Sequence, residues 1–171
     1  MRKVWKVDIY LDTDRKIQKK TERKCAYVLE TICAGATRTA EGFSEFSGTY
    51  HSANLQNLTS ALSRITKTSE ICVHTEDSYV AAHICRLPEM EADEWKDSKG
   101  NPIGNADLWI NIWSLVKKNH LKITAKTEKH SYSRWMQEEF GKRGCERTMG
   151  TRMEPAVRTG PTNNGMSGYH Y

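Results

Sequence analysis

The stretch Ile71-Cys-Val-His-Thr-Glu76-Asp-Ser-Tyr-Val80 is an apolar run that stops at two adjacent carboxylates and then restarts at helical spacing. Such a change of period is a strand feeding a helix, so the chain must build a sheet with helices packed on it. A second segment, Val4 to Asp12, has the same strand-then-acid form: Trp5, Val7, Ile9 and Leu11 alternate with Lys6, Asp8, Tyr10 and Asp12. Asp12 therefore shares a face with Tyr10 and stands at a strand end. If the two strands lie side by side, Asp12 and Glu76 meet at one edge of the sheet. Paired carboxylates there are the beginning of a metal site for phosphodiester chemistry. Taken alone, Asp12 also reads as a solvated acid, and Glu76 as an acid that complements a helix N-terminus.

The remaining elements follow from pattern. Cys25 to Ile32 and Arg38 to Thr49 predict two further strands, giving an antiparallel meander of three. From Ser52 the period changes: Ala53, Leu55, Leu58, Ala61, Leu62 and Ile65 predict a helix, with Ser52 as its cap. Glu70 to Thr75 predicts a strand and Ser78 to Ile84 a short helix. An acidic, Gly- and Pro-containing loop runs on through Ile103. Leu108, Trp109, Ile112, Trp113, Leu115 and Val116 predict an amphipathic helix that breaks near Asn119. Leu121 to Ala125 predicts a strand, and Ser131 to Phe140 a last helix. The fold class expected is α/β: a five-stranded mixed sheet, three antiparallel strands then two parallel, with helices on both faces.

With 171 residues, 37% of them hydrophobic, one domain with a proper core is expected over 1–140. Residues 141–171 hold six of the eleven glycines and almost no aliphatic side chains, which predicts a basic, disordered tail. The excess of 26 Lys and Arg over 21 Asp and Glu is concentrated locally, above all in Arg15 to Lys24, where Lys16, Lys19 and Lys20 are candidate contacts to a phosphate backbone. The five cysteines show no CxxC spacing, which predicts small buried thiols and argues against zinc. No apolar run is long enough for a signal peptide or a bilayer span, so no membrane partner and an intracellular, cytoplasmic location are expected.

Three short motifs carry a resemblance. Thr75-Glu-Asp-Ser-Tyr-Val80, Glu94-Trp-Lys-x-x-x-Gly-x-Pro-Ile103 and Asn105-Ala-Asp-Leu-Trp109 resemble, in order and spacing, segments of type 1 ribonuclease H, and the order of elements is similar over roughly residues 4–140. The resemblance implies a protein that cleaves the RNA strand of an RNA/DNA hybrid with two divalent ions, Mg²⁺ or Mn²⁺, held by four carboxylates. Asp12 matches the first acid. Asn54, in Asn54-Leu-x-x-Leu-x-x-Ala-Leu62, stands where the second is expected. Glu76 matches the third with one extra methylene, and Asp77 follows it either as a further candidate ligand or as the first residue of a capping turn, occupied by backbone N–H groups. Gln137, in Ser133-Arg-Trp-Met-Gln-Glu-Glu139, stands at the fourth position with Glu138 and Glu139 beside it. His130 lies near the place of the family's histidine-bearing loop.

Two of the four charges are thus replaced by amides, which weakens metal binding because each carboxylate offsets part of a dense positive charge. The leading expectation is a nucleic-acid-binding protein acting on RNA/DNA hybrid or duplex with weakened or lost nuclease activity, the basic loop and the tail contacting the backbone, with Trp135 either joining them or packed in the core. One alternative is an active hybrid ribonuclease with Asp12, Glu76, Asp77 and Glu138 or Glu139 as its acids. The other is a protein-interaction domain that kept the fold. The sequence sets no oligomeric state.

Overall fold

The computed structural model describes residues 3–147; of the expected tail, 141–147 continue the last helix instead of being disordered, and the rest lies outside the described residues. Five strands, β1 (Trp5–Thr13), β2 (Thr21–Cys33), β3 (Ala36–Gly48), β4 (Ser69–Thr75) and β5 (Lys122–Thr127), form one sheet in the order β3-β2-β1-β4-β5. The first three strands pair antiparallel, and β4 joins β1 and β5 in parallel. The helices are α1 (Tyr50–Leu62), α2 (Ser78–Ile84), α3 (Leu87–Ala92), α4 (Ala106–Lys118) and α5 (Ser133–Arg147).

The period-two pattern of β1 sorts its side chains onto the two faces. Val7, Ile9 and Leu11 join Leu29, Ile71 and Val73 beneath Leu55, Leu58 and Leu62 of α1 and Trp109, Ile112 and Val116 of α4. The opposite face carries a smaller cluster, Ala26, Val28 and Phe43 against Tyr132 and, from α5, Met136 and Phe140. Trp135 packs into this second cluster, 5.7 Å from Phe43, so it supports α5 and is not an exposed stacking platform.

β2 and β3 are longer than alternation predicts, because their outer residues pair with each other and need no buried face to do so. The Ala34-Gly35 turn joins them, both residues at positive φ (53° and 79°), which suits the twist of a two-residue hairpin. Gly42 faces Tyr27 across the pair, and a Cβ there would fall 2.5 Å from the ring.

Two local expectations are corrected. Thr49, not Ser52, caps α1: its hydroxyl oxygen accepts the Ser52 N–H at 3.2 Å, and the helix starts at Tyr50. The segment before Ile103 is not all loop, since α3 forms with Pro in its first turn and Leu87 and Met90 buried on one side. The thiols also differ from expectation. Cys25 is buried, but Cys33 and Cys72 are only partly so and Cys85 is exposed.

Two of the recognised motifs meet at Tyr79. Its hydroxyl accepts from Trp109 Nε1 (3.1 Å) and Asn105 Nδ2 (3.2 Å) and donates to the Gly104 carbonyl (3.3 Å). Trp109 is fully buried, so its indole N–H has no water to turn to. Tyr79→Phe is expected to lower stability by about 1–3 kcal/mol in urea unfolding with the slope unchanged.

Candidate active site

The sheet delivers Asp12 and Glu76 to one place. β1 and β4 are parallel neighbours with Tyr10 beside His74, so the carboxyl ends of both strands open on the same edge, where ligands bind in open α/β sheets. A cleft of about 470 Å³ lies there, lined by Asp12, Lys16, Glu76, Gln137 and Glu138, with Lys129, Ser133 and Arg134 at its α5 side. Sequence reasoning named five of these residues. Lys129 and Arg134 were missed, although a basic residue on each side of the last loop was a readable signal.

Asp12 is buried and heavily engaged. Its Oδ1 accepts the Thr13 N–H at 2.9 Å, and its Oδ2 accepts from Gln137 Nε2 at 2.9 Å. Gln137 Nε2 also donates to the Thr13 carbonyl at 2.9 Å, so two acceptors fix the nitrogen end of the amide toward Asp12. Lys16 Nζ lies 3.5 Å from Asp12 Oδ1 and 3.2 Å from Glu76 Oε2. One ammonium thus bridges both carboxylates.

Burial is the main influence on the Asp12 carboxyl and holds it above the ordinary carboxylate range, with Glu76 adding to the rise while Gln137, Lys16 and the Thr13 N–H oppose it. A raised carboxyl destabilises the folded state once ionised; that penalty is full above the folded pKa, shrinks as pH falls below it, and is gone below the ordinary carboxylate pKa of the unfolded chain. Asp12→Asn, which keeps an oxygen for Gln137, is therefore expected to raise the melting temperature at pH 7, with the gain vanishing in acid below the Asp12 titration. Thermal unfolding of both proteins across pH checks this.

The other expected residues are placed as follows. Glu138 is exposed at the cleft, 3.4 Å from Arg134. Glu139 is buried with Lys142 at 3.2 Å. Asn54 turns from Asp12 and donates to Asp77 Oδ2 at 2.9 Å. The same oxygen meets His51 Nδ1 at 2.8 Å, while Asp77 Oδ1 caps α2 through Tyr79 N (3.1 Å) and Val80 N (3.4 Å). Asp77 is thereby occupied as a helix cap, as its position at a strand-to-helix turn invites.

His130 is buried and held rigidly: Nε2 donates to the Leu11 carbonyl at 2.8 Å and Nδ1 accepts the Tyr132 N–H at 3.2 Å. Desolvation depresses its pKa, so the ring is neutral at pH 7 and structural in place. Of the basic loop, Lys16, Lys19 and Lys20 are all exposed, but only Lys16 reaches the carboxylates.

Of the four positions expected to carry acids, two hold carboxylates and two hold amides. Both amides at acid positions spend their N–H groups on neighbouring carboxylates, and one lysine ammonium bridges the pair that remains. What the arrangement offers a ligand is a carboxylate floor with cationic rims at Lys16, Lys129 and Arg134.

No family model matches the chain. It is 32% identical over 68 residues to a ribonuclease H of Syntrophomonas wolfei, covering 39% of this chain and 46% of that protein. It is 25% identical over 77 residues to ribonuclease HI of Pasteurella multocida, covering 44% and 50%. The chain thus spans about half the length of the curated relatives it matches. Among solved structures, it superimposes on LC9-RNase H1, a type 1 ribonuclease H with the type 2 active-site motif, with a TM-score of 0.62 at 15% identity, covering 96% of this chain and 80% of that one. The chain has a ribonuclease H-like fold.

The isolated ribonuclease H domain of prototype foamy virus gives a TM-score of 0.61 at 12% identity, covering 84% of this chain and 94% of that one. The five-stranded mixed sheet of this ribonuclease H-like chain is the feature these structures share, and it places Asp12 and Glu76 together. Among its described residues, no helix is long and apolar enough to cross a membrane.

Proposed function

We propose that this ribonuclease H-like domain binds an RNA/DNA hybrid or a related duplex across the cleft at the ends of β1 and β4, and that its two-metal nuclease activity is weak or lost. The observation that carries this reading is the Lys16 ammonium lodged between Asp12 and Glu76. A tethered cation there competes directly with Mg²⁺ or Mn²⁺, and the amides of Asn54 and Gln137 add no charge to draw an ion in. Lys16, Lys129 and Arg134 around the cleft, with Lys19 and Lys20 on the adjoining loop, supply contacts to phosphates. A structure similar in fold, the foamy virus protease-reverse transcriptase, is described in complex with an RNA/DNA hybrid, which supports that substrate class.

A second reading rests on Glu138, which lines the same cleft as Asp12 and Glu76 and offers a third carboxylate to a rearranged site. Hybrid cleavage with Mg²⁺ and Mn²⁺ separates the two. The proposal expects binding with little or no product. Efficient cleavage that Asp12→Asn abolishes would overturn it in favour of the enzyme, and Glu138→Gln would then show whether Glu138 completes the site.

A further inference from the structure

The face of the sheet that carries Asp12 also carries, further down β1, a mixed cluster that the cleft does not use. Cys72 sits directly beside Asp8 in the β1–β4 register, and His74 beside Tyr10. Ligand atoms of Asp8, Cys72 and His74 all lie within 4.8 Å of one another. We propose that these three side chains form a binding site for a thiophilic divalent ion, Zn²⁺ by preference, distinct from the Asp12–Glu76 cleft.

The donor chemistry selects the metal. One imidazole nitrogen, one thiolate and one carboxylate suit zinc, whereas Mg²⁺ takes oxygen ligands almost exclusively. Asp8 and ionised Cys72 together balance the ion's charge, and a solvent molecule or a further ligand fills the fourth position. His74 Nε2 is already 2.9 Å from Asp8 Oδ1, close to the separation of about 3.3 Å that two ligands adopt on one tetrahedral zinc.

A second, independent feature is the support given to the histidine. Its Nδ1 is hydrogen-bonded to the Glu128 carboxylate, and its ring is buried and stacked on Tyr10 at 4.4 Å with 14° between planes. A carboxylate on the far nitrogen is how metal-bound imidazoles are oriented and made better donors. Lys126, beside His74 in the β4–β5 register, places a positive charge nearby that Glu128 offsets. Asp8 lies four residues before Asp12, roughly 13 Å along the strand, so one ion cannot serve both places. The lack of any CxxC spacing hides the site, because strand register rather than sequence proximity assembles it.

Cobalt reports on it without reference to activity. Protein stripped with a chelator and titrated with Co²⁺ is expected to take up one ion with visible d–d bands and a near-ultraviolet thiolate-to-cobalt band, both displaced by Zn²⁺. Cys72→Ser should abolish the thiolate band, and Asp8→Asn should weaken binding at least tenfold. Glu128→Gln should weaken it about tenfold to a hundredfold. Asp12→Asn and Cys85→Ser should leave the spectrum intact. Near-ultraviolet circular dichroism verifies that each variant is folded. The absence of a thiolate band, or its survival in folded Cys72→Ser, overturns the proposal.

Discussion

Arg23→Met is expected to destabilise the domain by about 3 kcal/mol or more, and to weaken nucleic-acid binding although Arg23 contacts no phosphate. The side chain is only 1% exposed, and its guanidinium donates to four backbone carbonyls: Gly48 (3.0 Å), Arg15 (2.6 Å), Ile17 (2.6 Å) and Lys19. Three of these belong to the basic loop and one to the end of β3. Removing the donor leaves buried acceptors unpaired, and hydrogen bonds to a charged group contribute about 1.5–3 kcal/mol each. The carbonyls of Arg15 and Ile17 flank Lys16, so losing them frees the ammonium from the carboxylates. Arg23→Lys keeps the charge without the planar fork and should fall between the two. Urea unfolding gives the stability, and hybrid affinity for the same proteins gives the loop's contribution.

Lys16→Met has the second large effect, and it moves two quantities in opposite directions. Divalent-ion affinity at Asp12 and Glu76 should rise about tenfold, equivalent to about 1.4 kcal/mol, because the competing charge is gone while both acids remain. Hybrid affinity should fall, with the salt dependence of binding reduced by about one unit of slope, as expected when one phosphate contact is lost. The Lys16 side chain is 43% exposed, so solvent screening keeps the metal effect near tenfold and well below the value for a buried pair. Calorimetry with Mn²⁺ reads the first effect and anisotropy at several salt concentrations the second. A fall or no change in Mn²⁺ affinity would mean that Lys16 does not compete for the carboxylates.

Much of the fold was legible because its strongest signals are local. β1 alternates cleanly since only one of its faces is deeply buried, and α4 shows its stripe since Trp109, Ile112 and Val116 must reach the core. α3 escaped because two buried side chains in a six-residue helix make no periodicity. Asp12 and Glu76 could be paired from strand ends alone. Asn54 and His130 could not be assigned, since their hydrogen-bond partners lie 23 and 119 residues away in the chain, whereas the capping role of Asp77 was readable from its place at the start of a helix. Lys16 and Arg23 looked alike as members of one basic run. The fold separates them, one lying against the carboxylates and the other buried beneath the loop, and only pairing of β2 with β3 decides which is which. His74 was hidden for the same reason, its partners coming from β1 and from the end of β5.

On the proposed function, the cleft holds nucleic acid by its cationic rim without depending on divalent ions. Fluorescence anisotropy of a labelled RNA/DNA hybrid, titrated with this protein in chelator at a series of salt concentrations, measures it directly. Binding is expected in the absence of Mg²⁺ and Mn²⁺, with an affinity that falls steeply as salt rises. Binding that needs a divalent ion, or no salt-dependent binding at all, would contradict that proposal.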